Sequence, residues 1–246
     1  MLWLSNIPIA HRGLHDENTP ENSLAAFKKA IEAGYAIEID VHLSSDGELM
    51  VFHDFNLNRM TGVDEEITAV SAEFSKSLKL FGSDETIPTF DEVLALIDAN
   101  VPLLIEIKNE KAVGALESKL HTTLQGYRGE FAVQAFNPFV LAWFAKNAPH
   151  ITRGQLSGRF EDTTLPFYKK FLLGNLLLNS VSKPHFIAYE SQHLPNLAVS
   201  FAKLLKKPIL AWTVKSQEHS EYAKKHADNI IFESVRPAVK SEKHNA

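Results

Sequence analysis

Acidic residues occupy positions that the sequence otherwise predicts to be buried β-strand. In the runs 36–42 and 103–108, charged and apolar residues alternate, so each strand presents its charged side chains on one face. The charged residues are Glu38, Asp40 and His42 in the first run, and Glu106 and Lys108 in the second. Burying three unpaired carboxylates together would cost several kcal/mol for each charge. A hard divalent cation resolves this conflict, while Lys108 either neutralises part of the charge or binds an anionic substrate.

The same alternation has a second interpretation. A half-solvated antiparallel strand also alternates charged and apolar residues, and either run alone favours that explanation. Both runs, however, lie in a series of strand-like and helix-like segments that predicts a parallel sheet, where faces open to solvent are uncommon. The metal site is therefore favoured for the two runs taken together.

Two histidines stand at the ends of strand-like runs and suit proton transfer. His11 directly follows the run 7–10, and His53 ends the run 49–52. Cleavage of a phosphate ester needs one group that takes a proton and another that protonates the leaving oxygen. Imidazoles do both near neutral pH. The remaining histidines, with the exception of His42, are expected at surface or capping positions.

Neighbouring residues extend this chemistry. Arg12 offers a planar donor fork for phosphate oxygens, and Gly13 permits a close approach of the backbone. The role of His42 is open, because it shares the charged face of its strand but could merely bond Asp40 or Glu38.

The segment Pro20-Glu21-Asn22-Ser23 precedes the first predicted helix. Asn22 or Ser23 is a natural N-cap, and Pro20 ends the preceding loop. Capping explains Asn22, but it leaves Glu21 without an explanation.

These residues must be positioned by strands that alternate with helices. The predicted strands are Ile7–Ala10, Ala36–His42, Pro102–Ile107, Phe131–Ala135, Thr152–Ser157, Phe186–Tyr189, Pro208–Trp212 and Asn229–Phe232. The predicted helices are Ser23–Ala33, Phe90–Ala99, Ala112–Leu124, Pro138–Asn147, Leu165–Leu177, Leu194–Leu205 and Gln217–His226, with a short final helix after Arg236. Eight strands and intervening helices in 246 residues predict an α/β fold of the (β/α)8 TIM-barrel type. A doubly wound open sheet, the alternative, usually has fewer strands.

One segment interrupts the regular alternation. Residues 47–86 predict a small insertion after strand 2, on the active-site face of the barrel. It begins with a hairpin arm at Leu49–His53 and continues as a polar stretch.

Composition limits the function classes. A chain that is 45% hydrophobic and 22% charged predicts one folded domain over residues 1–246. The net charge of −5 argues against a nucleic-acid partner. The absence of cysteine excludes disulfides and thiolate ligands, so any metal must bind oxygen or imidazole.

The sequence predicts a cytoplasmic protein without stable membrane insertion. The N-terminus has no basic region followed by a long apolar run, so no signal peptide is expected. The apolar stretch 167–181 is too short and too polar to span a bilayer. It is expected to be a helix docked on the barrel rather than a membrane-surface helix. The polar tail after Val239 is expected to be frayed.

Several short motifs occur in a characteristic order. They are His11-Arg12-Gly13, Pro20-Glu21-Asn22, Glu38-x-Asp40, Asp46-Gly47 leading to His53-Asp54, and Glu106-x-Lys108, with weaker matches at Gln134-x-Phe136 and Trp212-Thr213-Val214. Any single tripeptide is a weak signal, but the ordered set resembles the glycerophosphodiester phosphodiesterases. The resemblance covers about residues 5–238.

This resemblance implies a TIM barrel with one divalent cation, Mg²⁺ or Ca²⁺, at its mouth. It implies Glu38, Asp40 and Glu106 as metal ligands, His11 and His53 as the acid/base pair, Arg12 and Lys108 as phosphate-binding groups, and Glu21, His42, Gln134 and Trp212 as supporting residues. The implied substrate is a small glycerophosphodiester such as glycerophosphocholine or glycerophosphoethanolamine, which is hydrolysed to an alcohol and glycerol 3-phosphate. The enzyme is expected to be a monomer or a homodimer. The glycerol 2-hydroxyl is the hypothetical nucleophile, through a cyclic phosphate.

One departure from the family pattern and two alternatives remain. The end of the last strand reads Phe232-Glu233-Ser234-Val235-Arg236-Pro237 instead of a polar Asn-Arg-Pro or Asp-type motif, which puts the head-group contacts at that edge in doubt.

A lysophospholipase D-like activity could use the same site, with 167–181 docking a lipid chain. A non-catalytic barrel that binds phosphate esters is the other alternative, and its signature would be the loss of a ligand or histidine.

Overall fold

The computed structural model describes residues 2–109, 111–161 and 163–239. Its strands are β1 (Ile9–Ala10), β2 (Ala36–Leu43), β3 (Leu49–Val51), β4 (Leu103–Ile107), β5 (Phe131–Ala135), β6 (Arg153–Ser157), β7 (Phe186–Glu190), β8 (Ile209–Val214) and β9 (Asn229–Phe232). All of them except β3 pair in parallel with their neighbours, and β1 pairs with both β2 and β9. The sheet is therefore a closed eight-stranded parallel barrel, which confirms the predicted (β/α)8 fold.

Helices connect the successive strands. They are α1 (Trp3–Asn6), α2 (Leu24–Glu32), α3 (Asn58–Thr61), α4 (Ala72–Ser77), α5 (Phe90–Ile97), α6 (Ala115–Leu124), α7 (Pro138–Asn147), α8 (Phe167–Gly174), α9 (Asn179–Ser182), α10 (Leu197–Leu204) and α11 (Gln217–His226). Capping side chains fix the first residue of several helices. The Asn196 side chain, for example, accepts a hydrogen bond from Val199 N, so α10 begins at Leu197 and not at the predicted Leu194. Residues 237–239 are not helical, and the rest of the predicted final helix and tail lies outside the described residues.

Apolar residues fill two layers, one on each side of the barrel wall. Ile37, Ile39 and Val41 of β2 belong to the layer between the strands and the helices, as their alternation predicted. A second cluster fills the N-terminal part of the barrel interior, where Trp3 and Leu4 of α1 join it. The second layer contains inward-facing residues from most strands, namely Ile9, Ala36, Leu104, Ala132, Leu156, Phe186, Ala188, Leu210 and Ile231.

The segment after β2 forms the predicted insertion. Strand β3 pairs antiparallel with β2, with Val51 opposite Val41, which confirms the hairpin arm. The remainder is less polar inside than expected, because it encloses a small apolar core of its own. The buried members of that core are Met50, Phe52, Leu57, Met60, Ile67, Ala72, Leu80 and Ile87. This core gives the insertion a fixed shape at the barrel mouth.

Helix α8 differs from the expectation for the stretch 167–181. A helix forms over Phe167–Gly174 but buries none of its eight residues, so the predicted packing on the barrel is only partial: within the predicted stretch, Leu176 just after the helix is buried in the main core. Only its C-terminal end is attached, since Ser157 Oγ donates to Leu173 O at 2.8 Å and Tyr189 OH donates to Gly174 O at 2.8 Å. Among the residues the structure describes, no helix has the length and apolar character needed to cross a membrane.

Candidate active site

The strand register places three carboxylates side by side at the C-terminal end of the barrel interior. Asp40 on β2 is paired with Glu106 on β4, which in turn is paired with Gln134 on β5. Glu38 precedes Asp40 by two residues and shares its face. Ligand oxygens of the three carboxylates lie within 4.8 Å of one another, and all three side chains are buried. The structure thus brings together the acidic residues that the alternation had placed on one face.

Two cationic side chains border this carboxylate cluster. Lys108 Nζ lies 2.6 Å from Glu106 Oε1 and 3.0 Å from Asp40 Oδ1, and Arg12 Nε lies 3.5 Å from Asp40 Oδ2. Burial would raise the pKa of Asp40, but the nearby positive charges, Lys108 foremost and Arg12 among them, together outweigh burial and hold it well below its usual range. Burial would lower the pKa of Lys108, and the two carboxylates raise it above its ordinary value instead. Asp40 and Lys108 are therefore both charged at neutral pH.

Glu38 has the opposite electrostatic balance. Burial, together with the negative charges of Asp40 and Glu106, raises the pKa of Glu38 well above its ordinary value. Its Oε2 accepts a hydrogen bond from the Arg12 backbone N–H at 3.0 Å, and its Oε1 accepts one from Gln134 Nε2 at 3.5 Å. If Glu38 is ionised as well, the cluster carries more negative charge than Lys108 and Arg12 neutralise, and a bound cation would relieve the excess.

The turn after β1 is shaped to aim a backbone N–H at this cluster. Arg12 adopts a left-handed conformation with φ of 55°, a conformation that costs energy in a non-glycine residue and is concentrated at functional sites. Gly13 follows with φ of 81°, and a Cβ there would lie 2.9 Å from the Cβ of Ala26. The close approach predicted at Gly13 is therefore to helix α2, which it seats against the turn.

The side chains of Glu21 and Asn22 bind charged residues of the site and do not cap helix α2. Glu21 Oε1 accepts from Arg12 Nη1 at 2.7 Å, and Asn22 Nδ2 donates to Asp40 Oδ2 at 2.9 Å. Ser23 is the N-cap of α2, so the capping explanation of Asn22 was wrong. The unexplained Glu21 beside it was the signal that this segment serves the site.

His11 is held in place by Glu233, a residue that the sequence did not identify. The His11 Nδ1–H donates to Glu233 Oε1 at 2.5 Å, because an ionised carboxylate can only accept. This leaves Nε2 on the side of Glu38, 3.9 Å from its Oε2. Lys215 Nζ lies 3.0 Å from Glu233 Oε2. Burial lowers the pKa of His11 below its ordinary value, although the Glu233 hydrogen bond opposes this, so a neutral imidazole is favoured.

His53 is held in the same way from the insertion. Its Nδ1 bonds Asp54 Oδ1 at 2.6 Å, and Arg59 Nε in turn donates to Asp54 Oδ2 at 2.5 Å. His42 bonds neither Asp40 nor Glu38. Its Nε2 lies 3.2 Å from the backbone oxygen of His53, and burial lowers the pKa of His42 to about 4. His42 is therefore neutral and positions the segment that carries His53.

A pocket of about 80 Å³ opens above the carboxylates. Its lining includes Glu38 and Glu106 and also His11, Arg12, His53, Lys108, Phe136 and Trp212. Trp212 packs edge-on against Phe136 with ring centroids 5.6 Å apart, so one wall is aromatic. The predicted catalytic and phosphate-binding residues and two of the three predicted metal ligands thus line one pocket, and the third ligand, Asp40, is buried behind them. Of the predicted supporting residues, Gln134 and Trp212 line the pocket, while Glu21 and His42 contact residues of its wall.

The donor set fits a hard divalent cation. All three candidate ligands offer carboxylate oxygens, which Mg²⁺ and Ca²⁺ prefer. The Lys108 ammonium bridges two of these carboxylates and so stands where positive charge is needed. Gln134 Oε1 beside them is buried and makes no hydrogen bond to any residue that the structure describes, which leaves one further oxygen atom available.

Comparisons with known proteins agree with this geometry. A glycerophosphodiester phosphodiesterase of Caldanaerobacter subterraneus is 37% identical over 166 residues, which span 62% of this chain and 67% of the relative. One of Bacillus altitudinis is 33% identical over segments covering 58% of this chain and 62% of the relative. The human lysophospholipase D GDPD1 is 34% identical over 41% of this chain and 35% of its own length. The matches to these three relatives therefore span from about a third to about two thirds of their lengths.

Solved structures and a family model cover more of the chain. An Oleispira antarctica phosphodiesterase, solved in complex with the product sn-glycerol-3-phosphate, superposes with a TM-score of 0.75 at 26% identity over 92% of this chain and 93% of that chain. The model of the glycerophosphoryl diester phosphodiesterase family matches residues 11–235. Because this match covers nearly the whole sequence, the protein belongs to the glycerophosphoryl diester phosphodiesterase family, which confirms the expected enzyme class.

Proposed function

We propose that this protein hydrolyses small glycerophosphodiesters to an alcohol and glycerol 3-phosphate and needs a divalent cation to do so. The observation that carries the proposal is the convergence of three buried carboxylates beneath a pocket lined by two imidazoles, a guanidinium and an ammonium. The Oleispira antarctica relative, whose complex contains sn-glycerol-3-phosphate, supports glycerol 3-phosphate as the product.

Glu38, Asp40 and Glu106 would hold the cation, for which Mg²⁺ and Ca²⁺ are both suitable. When bound, such a cation polarises a phosphoryl oxygen and lowers the pKa of a nearby hydroxyl. With the carboxylate charge neutralised in this way, Lys108 and Arg12 retain N–H donors for the phosphate.

The two imidazoles would move the protons. Each ring is fixed through Nδ1 by a carboxylate, Glu233 for His11 and Asp54 for His53, so each presents Nε2 to the pocket. One Nε2 would accept the proton of the attacking hydroxyl, and the other would protonate the departing alkoxide. The neutral state favoured for His11 suits the accepting role.

The glycerol 2-hydroxyl is the proposed nucleophile. Its attack on phosphorus would release the alcohol and form a cyclic phosphate, which water then opens to glycerol 3-phosphate. A matched substrate that lacks the 2-hydroxyl should be cleaved far more slowly. Equal rates for the two substrates would refute the cyclic route and indicate direct attack by water.

The overall proposal is tested by turnover of glycerophosphocholine and glycerophosphoethanolamine with and without a chelator. We expect the chelator to abolish turnover and either Mg²⁺ or Ca²⁺ to restore it. His11→Ala should lose about 10²–10⁴-fold in kcat, whereas His150→Ala, which removes an exposed imidazole, should match the unmodified protein. Full activity in the chelator would contradict metal dependence.

A second candidate function is lysophospholipase D-like hydrolysis at the same site. It is favoured by the aromatic wall, in which the Phe136 ring contacts both Trp212 and Phe160, the latter with centroids 5.8 Å apart. This wall could hold an acyl chain. Parallel assays of glycerophosphocholine and lysophosphatidylcholine separate the two functions, since a marked preference for the lipid would overturn the first.

A further inference from the structure

Helix α8 exposes aromatic side chains that a folded protein normally buries. Phe167, Tyr168 and Phe171 are 83%, 61% and 51% exposed, and the rings of Phe167 and Phe171 stack with centroids 6.4 Å apart. Single exposed apolar residues are ordinary, but a contiguous group of them marks a contact surface. Helix α8 therefore has the character of a contact surface.

The helix is fixed at the same end of the barrel as the active site. Its C-terminal carbonyls accept hydrogen bonds from Ser157 at the end of β6 and from Tyr189 on β7. The loop that leads into it carries Phe160, whose ring contacts Phe136 of the pocket wall. Whatever α8 touches is therefore brought to the rim of the barrel mouth.

The charges around α8 select the kind of surface. Between Asp162 and Glu190 the chain contains three lysines and no acidic residue, although the whole chain has 30 acidic residues and a net charge of −5. At 100° per residue, the aromatic side chains occupy one side of α8, and Lys169 and Lys170 occupy the other. Aromatic rings on one side and flexible lysines on the other are typical of a short helix that lies in the interface of a lipid bilayer.

We propose that α8 docks the protein peripherally on an anionic lipid bilayer. Phe167, Tyr168 and Phe171 would enter the interfacial region, while Lys169 and Lys170 would reach the negatively charged head groups. The docking goes beyond the hydrolysis proposed above and does not depend on it. It requires no spanning segment, because the helix lies on the membrane instead of crossing it.

The test is sedimentation of the full chain with vesicles of phosphatidylcholine, with or without about 30 mol% phosphatidylserine. We expect binding to the anionic vesicles that weakens in about 0.5 M NaCl. The double variants Phe167→Ser/Phe171→Ser and Lys169→Glu/Lys170→Glu should each lower the partition coefficient about tenfold or more. The matched control is Leu197→Ser/Leu204→Ser on α10, which removes two residues that are 90% and 77% exposed and should leave binding unchanged.

Several results would overturn the proposal. They are no binding of the unmodified chain, unchanged binding of the Phe167→Ser/Phe171→Ser variant, or an equal loss in the α10 control. A dimer that forms without lipid and dissociates in the Phe167→Ser/Phe171→Ser variant would assign α8 to a second copy of the chain instead. Because α8 buries no residue, its variants should unfold at the same temperature as the unmodified chain and keep their turnover of soluble glycerophosphodiesters. These readings separate failed docking from misfolding and from failure of the proposed function.

Discussion

The barrel interior changes chemistry within two residues along its strands. On β4, Leu104 faces inward as part of the apolar cluster, and the next inward residue is Glu106 of the carboxylate cluster. On β2, Ala36 is followed in the same way by Glu38. The N-terminal half is thus packed like an ordinary core, whereas the C-terminal half concentrates buried charge. The first arrangement stabilises the fold, and the second imposes a desolvation cost that only function explains.

The largest expected effect is a loss of activity when a carboxylate charge is removed from the C-terminal half of the barrel interior. Glu106→Gln keeps the size of the side chain but deletes a proposed metal ligand, so we expect kcat/KM to fall by about 10³-fold or more. The same change relieves repulsion with Asp40 and Glu38, which offsets the weakened contact with Lys108 Nζ, so the metal-free variant should be about as stable as the unmodified chain. Activity assays and thermal unfolding in chelator measure both. A large loss of stability with little loss of activity would contradict the claim that the C-terminal half serves function rather than stability.

The complementary change is made in the N-terminal half. Leu210→Ala creates a cavity in the buried cluster and should lower the free energy of unfolding by about 2–5 kcal/mol. Denaturant titration measures this loss. The active-site groups are untouched, so kcat of the folded fraction should stay near that of the unmodified protein. A drop in kcat comparable to that of Glu106→Gln would show that the halves are not separable.

A smaller loss of kcat is expected from removing a residue that orients a catalytic side chain without lining the pocket itself. Glu233→Gln removes the ionised partner of His11 Nδ1, so the imidazole is less well oriented and kcat should fall by about 10²-fold. Asp84→Asn alters an exposed carboxylate that is paired with Lys79 and serves as the control. If kcat responds equally to both substitutions, Glu233 does not position His11.

The smallest effect is a pH dependence of stability in the metal-free protein. Since the pKa of Glu38 is raised in the folded state, the folded chain holds that proton more tightly than the unfolded chain. Its contribution favours folding at low pH and is lost as pH rises from about 4.5 towards the raised pKa. In chelator, the stability of the unmodified chain relative to Glu38→Gln should therefore fall as pH rises above the ordinary pKa of the glutamate side chain. Parallel curves for the two proteins in denaturant titrations would contradict this.

The carboxylate cluster could be predicted from sequence because it depends on local alternation. Glu38, Asp40 and Glu106 lie on strands whose period of two fixes the face of each side chain, and parallel pairing brings those faces together. The same periodicity, repeated along the chain, predicts the barrel.

Other parts of the site depend on distances that no local pattern encodes. Glu233 is 222 positions from His11. The strand end that carries it departs from the expected motif, and from the sequence this departure only puts the head-group contacts at that edge in doubt. Asn22 satisfied the rules for a helix cap and was therefore assigned to one, although its side chain binds Asp40. The exposure of α8 was missed because an apolar helical stretch is ordinarily buried.

The central claim is that the charged half of the barrel interior exists to bind a divalent cation. Its most direct test is the thermal unfolding midpoint of the chelator-treated protein before and after addition of Mg²⁺ or Ca²⁺. At a cation concentration about 100 times the Kd, we predict a rise of about 5–10 °C for the unmodified chain, and little or none for Glu106→Gln. An unchanged midpoint in the unmodified chain, or an equal rise in both proteins, would contradict the account.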